Sequence, residues 1–431
     1  MKYKLIKPIV EKFSAIEQIL YNRDIPQNEF YHYMNTTDDD INSPLSFGEE
    51  VLKRAGKTLI ETISENKKVL IIVDSDCDGF TSSAVLINYL YDIFPAWTKN
   101  YLNWFLHKGK EHGLVDVVKE IDNIEDYSLI ICPDSASNDY NEHLQLSLKN
   151  IPVIVLDHHE AEYISENAII INNQLCDYPN KELSGVGVVW QFCKYLDSKC
   201  GKNYADNYLD LVALGLTADM MSLQSFETKH LINKGFQDEN IKNPFIYEMA
   251  QKNKFSLGEH ITPMGAAFYI APFVNSMVRS GTQEEKELLF KSMLKMCAFE
   301  RILSNKKGHK LGEEERLVDQ AIRTATNVKN RQTKAQDNGL EFLEKMISER
   351  NLLNHKVLLF LLEPGQVDKN IAGLIANKFM AKYQRPCCIL TKTIEEGKII
   401  YQGSARGCDK TGVINFKDIC ENTDCIIYAV G

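Results

Sequence analysis

Acidic residues and histidines follow three apolar segments in the first half of the chain. The segments are KVLIIVDSDCDG, SLIICPDS and PVIVLDHH. They contribute Asp74, Asp76 and Asp78, then Asp134, and finally Asp157, His158 and His159. Burying such groups without partners would cost on the order of several kcal/mol. Hard divalent cations take carboxylate and imidazole ligands, so the pattern predicts two Mn²⁺ or Mg²⁺ ions about 4 Å apart, which would activate a water and stabilise phosphoryl transfer.

Each of these groups also has a structural explanation when it is taken alone. The DxDxD run of residues 74–78 is also typical of a calcium-like loop, a helix N-cap or a solvated turn. Asp157 could cap a helix while both histidines lie in solvent, and Asp219, within LVALGLTADMMSL, could accept hydrogen bonds from backbone amides. Because several acids at successive strand ends would repel one another, we favour the metal site, with Asp219 as the remaining bridging ligand.

The apolar segments that carry these residues are predicted to be parallel strands. From Lys67 onwards they alternate with helical stretches such as SAVLINYLYDIF and NEHLQLSLKN, and a fourth strand, AIIINN, follows. This alternation predicts an α/β fold with a doubly wound, mostly parallel sheet, and a helical region then runs from about Gly185 to Phe299. In such sheets the ligand crevice lies outside the carboxyl ends of the strands, so the acids would converge on one rim.

The pattern divides the chain into four parts. Residues 1–66 are predicted to be a helical lead-in, residues 67–310 the main domain, residues 311–350 a long connecting helix, and residues 351–431 a second, smaller α/β domain. Asp337–Gly339 is a candidate break in the connecting helix, because glycine disfavours a helix interior.

The composition is that of a globular protein with no membrane span and no signal peptide. Eleven cysteines are scattered without a CxxC pair, which argues against zinc ribbons and disulfide frameworks and favours a reducing cytoplasm. The net charge is −10, but residues 301–431 carry 21 Lys and Arg against 16 Asp and Glu, or +5, which leaves −15 on residues 1–300. A basic C-terminal part and an acidic N-terminal part suit a polyanion bound next to a metal site. The alternative is two domains that differ by chance.

Five short motifs, in order, resemble those of a known enzyme family. DSDCDG, PDSAS, DHH, SGVGVVW and GLTADMM resemble the successive motifs of DHH-family phosphoesterases. The lead-in ILYNRDIP, the triple-Asp form of the first motif and IAPFVNSMVRSG make the chain similar to the RecJ-type single-strand exonucleases, from about Ile19 to the last residue. The resemblance implies a DHH domain joined by the long helix to a DHHA1-like domain.

The resemblance also implies roles for the strand-end residues. The implied metal ligands are Asp76, Asp78, Asp134, Asp157 and Asp219 with His158 or His159, and Asp74, a further expected ligand, stands where many relatives have His. The expected catalytic residues are Asp76, Asp78, Asp134, His158 and His159.

A second implied set would bind the substrate phosphates. It consists of Ser184, Gly185, Arg279, Ser404 and Arg406. Ser184 and Gly185 open SGVGVVW, where a helix N-terminus could bind phosphate or simply allow close backbone packing. Arg279 could contact phosphate or form a surface salt bridge. Ser404 and Arg406 lie in QGSAR, which matches the phosphate-binding strand of the DHHA1 domain.

Three features depart from the family pattern. Ala136 stands where the family usually has Gly, two residues after Asp134, and EPGQVDKNIAGLIANKF lacks the family's His. The sequence ends at Gly431, where a Gly-Gly-His motif and an OB-fold would follow in the family. We therefore expect the second domain to be incomplete at its C-terminus.

The leading hypothesis is a two-metal phosphodiesterase that shortens single-stranded DNA from its 5′ end and releases mononucleotides. It would serve DNA repair or recombination in the cytoplasm, with a single-strand binding protein or a helicase as partner and no membrane contact. One alternative uses the same site to hydrolyse short oligoribonucleotides, cyclic dinucleotides or polyphosphate. A second alternative is a non-catalytic nucleic-acid-binding module, which the full acidic set disfavours.

Overall fold

The computed structural model describes residues 6–109, 111–395, 397–413 and 416, and these residues form two compact units. The first unit holds the described residues up to Val278 together with Thr282–Thr324. The second holds Arg279–Gly281 and the described residues from Ala325 onwards. Residues 417–431, on which the expectation of an incomplete second domain depends, lie outside the described part of the chain.

A five-stranded parallel sheet forms the centre of the first unit. Its strands are β1 (Val69–Val73), β2 (Leu102–Leu106), β3 (Leu129–Pro133), β4 (Val153–Asp157) and β5 (Ile169–Asn172). Their spatial order is β2-β1-β3-β4-β5, and every neighbouring pair is parallel. The predicted fold class, an α/β protein with a mostly parallel sheet and a second, smaller domain, is confirmed. The sequence pattern does not indicate β2, because this edge strand is partly exposed and lacks the continuous apolar run of its neighbours.

Helices make up most of the remaining described residues before residue 300. They are α1 (Ala15–Asn22), α2 (Phe30–Met34), α3 (Glu49–Ser64), α4 (Cys77–Ile93), α5 (Pro95–Tyr101), α6 (Val117–Glu120), α7 (Tyr140–Leu148), α8 (Gly185–Cys200), α9 (Leu209–Ala218), α10 (Phe226–Gly235), α11 (Pro244–Lys252), α12 (Lys254–Leu257), α13 (Pro263–Tyr269), α14 (Ala271–Ser280) and α15 (Gln283–Met293). A short antiparallel pair, β6 (Arg301–Leu303) and β7 (Glu314–Arg316), follows them. Within the described part of the chain, no helix combines the length and apolar character that crossing a bilayer would require.

Helices cover the sheet on both faces. Alternate strand residues such as Ile72, Cys132 and Val155 share one core with Val117 of α6 and Leu146 of α7. Helices α3, α4 and α8 pack against β5, β1 and β4. Strands that are covered on both faces need apolar residues throughout, which explains why β1, β3, β4 and β5 are continuous apolar runs and fully buried.

The second unit is a smaller α/β arrangement around one mixed sheet. Its elements are the greater part of α16 (Leu317–Glu349), then β8 (Leu358–Leu362), α17 (Ala372–Tyr383), β9 (Cys387–Glu395) and β10 (Lys398–Arg406). The strand order is β10-β9-β8, with β8 and β9 parallel and β9 and β10 antiparallel. Leu343 of α16, Phe360 of β8 and Phe379 of α17 lie in its apolar core.

The predicted break of the long helix at Asp337–Gly339 is wrong, because α16 is continuous from Leu317 to Glu349. A Cβ atom added to Gly339 would lie 2.7 Å from Cδ1 of Ile375. This glycine therefore allows α16 to pack closely on α17 and does not end the helix. The helix also starts later than predicted from residues 311–350, because residues 314–316 pair with β6 as a strand.

Candidate metal centre

The predicted site lies where the strand order of the parallel sheet reverses. Strand β1 is flanked by β2 on one side and β3 on the other, so the connections that leave β1 and β3 diverge and open a crevice beyond their carboxyl ends. Asp74 follows β1 directly, and Asp134 follows β3 directly. The next strand, β4, ends in Asp157, so the sheet topology brings the three acidic segments to one edge.

The turn after β1 is shaped by the start of helix α4. Asp76 is the N-cap residue, and its side chain accepts a 2.8 Å hydrogen bond from the backbone N–H of Gly79. A Cβ atom added to Gly79 would lie 2.5 Å from Cβ of Asp74, so only glycine lets the helix start this close to Asp74. The capping interaction and this glycine fix the direction in which the acidic turn faces.

Asp78 lies in the first turn of α4 and is buried. Its carboxylate accepts a 3.0 Å hydrogen bond from Oγ of Ser184 and longer ones, at 3.4 Å, from the backbone N–H of Val186. Burial raises the pKa of Asp78 well above its ordinary value, and repulsion from Asp219 and Asp76 raises it further. Keeping this group ionised therefore requires nearby positive charge.

Asp134 is a buried acid at the end of β3. Its backbone N–H donates to the carbonyl of Leu156 over 2.8 Å, and its φ of +64° turns the chain sharply at the end of β3. Both carboxylate oxygens are buried and accept no hydrogen bond from the described residues. Burial, followed by the charges of Asp78 and Asp76, raises the pKa of Asp134 well above its ordinary value. Such unpaired buried oxygens are a costly arrangement unless a cation binds them.

In the Asp-His-His segment Asp157 is buried, and the pKa values of the two histidines shift in opposite directions. Asp157 accepts hydrogen bonds from the backbone N–H of Ser137 (3.1 Å) and of His158 (2.7 Å), and it pairs with Nδ1 of His159 (2.7 Å). Burial is the largest single influence and opposes ionisation of Asp157, but the hydrogen bond and charge of His159, together with the bond from Ser137, outweigh it and lower the pKa of Asp157. The hydrogen bond between Asp157 and His159 raises the pKa of His159 to about 9. Burial lowers the pKa of His158 to about 4, so this imidazole is neutral at pH 7.

Ligand atoms of these residues gather into three groups, in each of which all the atoms lie within 4.8 Å of one another. The groups are Asp134, His158 and His159; Asp78, His158 and Asp219; and Asp74, Asp76 and Asp134. Nε2 of His158 lies 3.3 Å from Oδ1 of Asp134 and 3.5 Å from Oδ2 of Asp219. This oxygen-rich set with imidazole suits hard divalent cations, and the unpaired oxygens of Asp134 are the observation that fits such ions best.

Every predicted ligand except Asp157 belongs to one of these groups. Asp157 instead binds Nδ1 of His159, an arrangement in which a carboxylate orients a metal-binding histidine. Because the pKa of His159 is raised to about 9, a cation at Nε2 would have to displace the proton there at pH 7. Asp219, at the end of α9, completes the set, and burial raises its pKa to about 6.

His112 lies in the loop LHKGKEHGL, which the family resemblance associates with substrate contacts, and in the structure it joins the metal centre. Its Nδ1 pairs with Oδ2 of Asp74 over 2.7 Å. The buried ammonium of Lys286 donates to the carbonyls of His107 (3.1 Å) and Lys108 (2.7 Å), and Asp139 accepts from the backbone N–H of Leu114 over 2.7 Å. These contacts hold the loop that presents His112 to Asp74. From the residues alone, LHKGKEHGL is equally well interpreted as a solvated basic loop.

The residues predicted to bind substrate are divided between the two units. Ser184 and Gly185, at the start of α8, lie in the first unit against Asp78 and Asp134. Arg279, Ser404 and Arg406 belong to the second unit. A Cβ atom added to Gly373, in the first turn of α17, would lie 2.9 Å from Nη2 of Arg406 and 3.3 Å from Oγ of Ser404. The two side chains therefore meet beside a helix N-terminus.

The chain is similar to known proteins along most of its length. The model of the DHH family, N-terminal domain, matches residues 68–216, which include the sheet and most of the acidic residues. The SPbeta prophage-derived single-strand DNA-specific exonuclease YorK of Bacillus subtilis (strain 168) is 33% identical over 420 residues, which are 97% of this chain and 70% of that protein. This chain belongs to the RecJ-type DHH family.

Other RecJ-type proteins show the same relationship at lower identity. The single-stranded-DNA-specific exonuclease RecJ of Bacillus subtilis (strain 168) is 24% identical over 380 residues, 87% of this chain and 44% of that protein. A crystal structure of RecJ from Thermus thermophilus in complex with Mn²⁺ superposes with a TM-score of 0.64 at 19% identity, over 89% of this chain and 52% of that one. That likeness shows the shared fold. Family membership and the grouped carboxylates together identify a metal-dependent nuclease.

Proposed function

We propose that this RecJ-type chain degrades single-stranded DNA in the 5′→3′ direction and releases mononucleotides, with Mn²⁺ or Mg²⁺ as cofactor. The observation that carries the proposal is the cluster of buried, unpaired carboxylate oxygens on Asp134 beside His158 and Asp219 at the strand ends. The names of its relatives, single-strand DNA-specific exonucleases, support the choice of substrate.

The side chains of the centre have separate tasks in this proposal. Two divalent ions bound there would generate a hydroxide from water at neutral pH and neutralise charge on a phosphate ester. Asp74, Asp76, Asp78, Asp134, His158, His159 and Asp219 would hold them. Asp157 orients His159, and Ser184 orients Asp78 through its hydroxyl. His158 is neutral at pH 7, so one of its two ring nitrogens is unprotonated and can donate a lone pair to a cation.

The second unit would bind the substrate backbone. Ser404 and Arg406 lie beside the first turn of α17, where backbone N–H groups and the helix dipole favour an anion. Arginine adds a planar pair of donors that match phosphate oxygens. We assign Arg279, at the end of α14, to another phosphate of the same strand.

The biological setting belongs to the same proposal. A role in DNA repair or recombination, with a single-strand binding protein or helicase as partner, follows from the family resemblance alone. A cytoplasmic location is supported by the cysteines, since most of those within the described residues are buried and Cys77, Cys132 and Cys193 carry free thiols.

End-labelled oligonucleotides test the proposed activity. We expect a 5′-tailed duplex to lose its tail as mononucleotides when Mn²⁺ is present, and a 3′-tailed duplex and blunt duplex DNA to be degraded poorly. Preferential loss of the 3′ tail would contradict the polarity. Faster cleavage of short RNA oligomers, cyclic dinucleotides or polyphosphate than of single-stranded DNA would replace the proposed substrate with the other chemistries of this site.

A further inference from the structure

Two consecutive asparagines lie where strand β5, the last strand of the parallel sheet, ends: Asn172 is its final residue and Asn173 follows it. Asn172 and Asn173 are both buried, with 2% and 0% of their surface exposed. A buried amide must find hydrogen-bond partners. The partners of Asn172 belong to loops that carry predicted metal ligands, and those of Asn173 belong to the segment that leads into Ser184.

Asn172 links the loops that follow β3 and β4. Its Nδ2 donates to Oγ of Ser137 (2.9 Å) and to the carbonyl of His159 (2.9 Å), and its Oδ1 accepts from the backbone N–H of Gln174 (2.7 Å). Ser137 lies three residues after Asp134, and its own N–H donates to Asp157. One side chain therefore ties the Asp134 loop to the two-histidine loop.

Asn173 links the same strand end to the start of helix α8. Its Nδ2 donates to the carbonyls of Asn180 (3.1 Å) and Leu183 (3.0 Å), and the side chain of Asn180 in turn donates to the buried Glu227 (2.9 Å). Leu183 immediately precedes Ser184, whose hydroxyl binds Asp78. The segment that supports Asp78 is thus anchored to the end of β5.

We propose that Asn172 and Asn173 are positioning residues of the metal centre. Their amides hold the loops after β3 and β4 and the start of α8 at the separation that cation binding requires. The carboxylates that these segments carry or support, Asp134, Asp157 and Asp78, repel one another, so without this link the segments would move apart and the affinity for a divalent ion would fall. The inference rests on the proposed function, because it presupposes a metal-dependent site.

The test compares Asn172→Ala with Asn88→Ala. Asn88 is equally buried, donates to the carbonyl of Met293 over 2.9 Å and accepts from the N–H of Lys295 over 2.7 Å, yet it lies about three turns along α4 from Asp78. Both variants should lose similar thermal stability in EDTA. Calorimetric titration with Mn²⁺ should show a dissociation constant at least about ten times higher for Asn172→Ala and unchanged for Asn88→Ala.

A second variant, Asn172→Asp, distinguishes the effect of the lost hydrogen bond from the effect of charge on Mn²⁺ binding. It also replaces Asn172→Ala in the test if that variant fails to fold. The aspartate is isosteric and can accept from the hydroxyl of Ser137, to which the amide of Asn172 donates, but it cannot donate to the carbonyl of His159. Its added negative charge would by itself favour a cation, so weaker Mn²⁺ binding would report the lost link. A wild-type chain that binds no Mn²⁺ would contradict the proposed function. If the wild type binds and both Asn172 variants bind equally well, only the positioning role is overturned.

Discussion

Gly185 and Asp134 lie in such close contact that a Cβ atom on Gly185 would come within 2.2 Å of Oδ1 and 2.5 Å of Cβ of Asp134. No side-chain rotation of Asp134 relieves the second of these contacts, because Cβ is fixed to the backbone. The first turn of α8 and the end of β3 can therefore approach each other only if residue 185 is glycine.

Gly185→Ala should displace Asp134 or the start of α8 and weaken Mn²⁺ binding by about tenfold or more. The control is Gly56→Ala in α3, where a Cβ atom would meet only side-chain atoms of Leu196 (3.3 Å) and Tyr195 (3.4 Å). We expect the control to bind Mn²⁺ like the wild type in a calorimetric titration. Unchanged Mn²⁺ affinity in Gly185→Ala would show that the contact does not shape the site.

Ala136 occupies the left-handed backbone region, with a φ of +77°, at the position where the family usually has Gly. This conformation costs a residue with a side chain about 1–2 kcal/mol. Ala136→Gly removes that strain but loses a buried methyl group and adds freedom to the unfolded chain, so we expect a change in unfolding free energy within about 1 kcal/mol of zero. Ala55→Gly, at a buried position within helix α3, should cost about 2 kcal/mol. Urea unfolding of both variants measures the difference, and equal losses would argue against backbone strain at Ala136.

The convergence of the acids could be predicted because it depends on topology alone. Once Asp74 and Asp134 follow parallel strands, any doubly wound sheet brings them to the same edge, and the apolar runs of β1 and β3 identify those strands. That Asp157 binds His159 and lies outside the three groups of ligand atoms could not be predicted in this way. Its hydrogen bonds with Ser137 and His159 depend on how two loops pack, which strand periodicity does not encode.

Other contributions to the site come from residues distant in sequence. Asn172 looks like the polar end of a strand, and Gly339 looks like a helix breaker, until their partners Ser137 and Ile375 are known. His112 contacts Asp74 across 38 residues of chain. The sequence identifies the acidic residues and histidines at strand ends, whereas the side chains that orient them are defined only by the tertiary fold.

Asp139, which supports the His112 loop, gives the chain a testable pH dependence. Burial raises the pKa of Asp139 to about 6, so between about pH 4 and 6 the folded chain binds this proton more strongly than the unfolded chain. Stability should therefore fall as pH rises through this window, by up to about 1.4 kcal/mol per pH unit from this group. Asp139→Asn stays neutral and can still accept from the N–H of Leu114, so its stability should fall less steeply.

Urea unfolding of the wild type and Asp139→Asn at several pH values between 4 and 7 gives this difference in slope. Asp122→Asn, which removes an exposed carboxylate from the same unit, is the control and should follow the wild type. Parallel stability curves for the wild type and Asp139→Asn would refute the raised pKa.

Arg406 should contribute to binding long substrates more than to the chemical step. Arg406→Ala should raise KM for long single strands, leave kcat little changed, and reduce the salt dependence of binding by about one counterion. Lys392→Ala, on the neighbouring strand β9 where the lysine pairs with Glu363 (3.3 Å), is the control and should have a smaller effect. Equal loss of activity on a dinucleotide and on a long strand would assign Arg406 a different role.

Titration of Mn²⁺ into the metal-free wild type and into Asp134→Asn tests the central claim most directly. The substitution keeps the shape of the side chain and removes one of several buried carboxylates that repel one another. We predict that the metal-free variant is at least as stable as the wild type to heat, that the wild type binds two Mn²⁺ per chain, and that the variant loses most of this binding together with nuclease activity. A variant that binds Mn²⁺ and cleaves single-stranded DNA like the wild type would contradict the assignment of this centre.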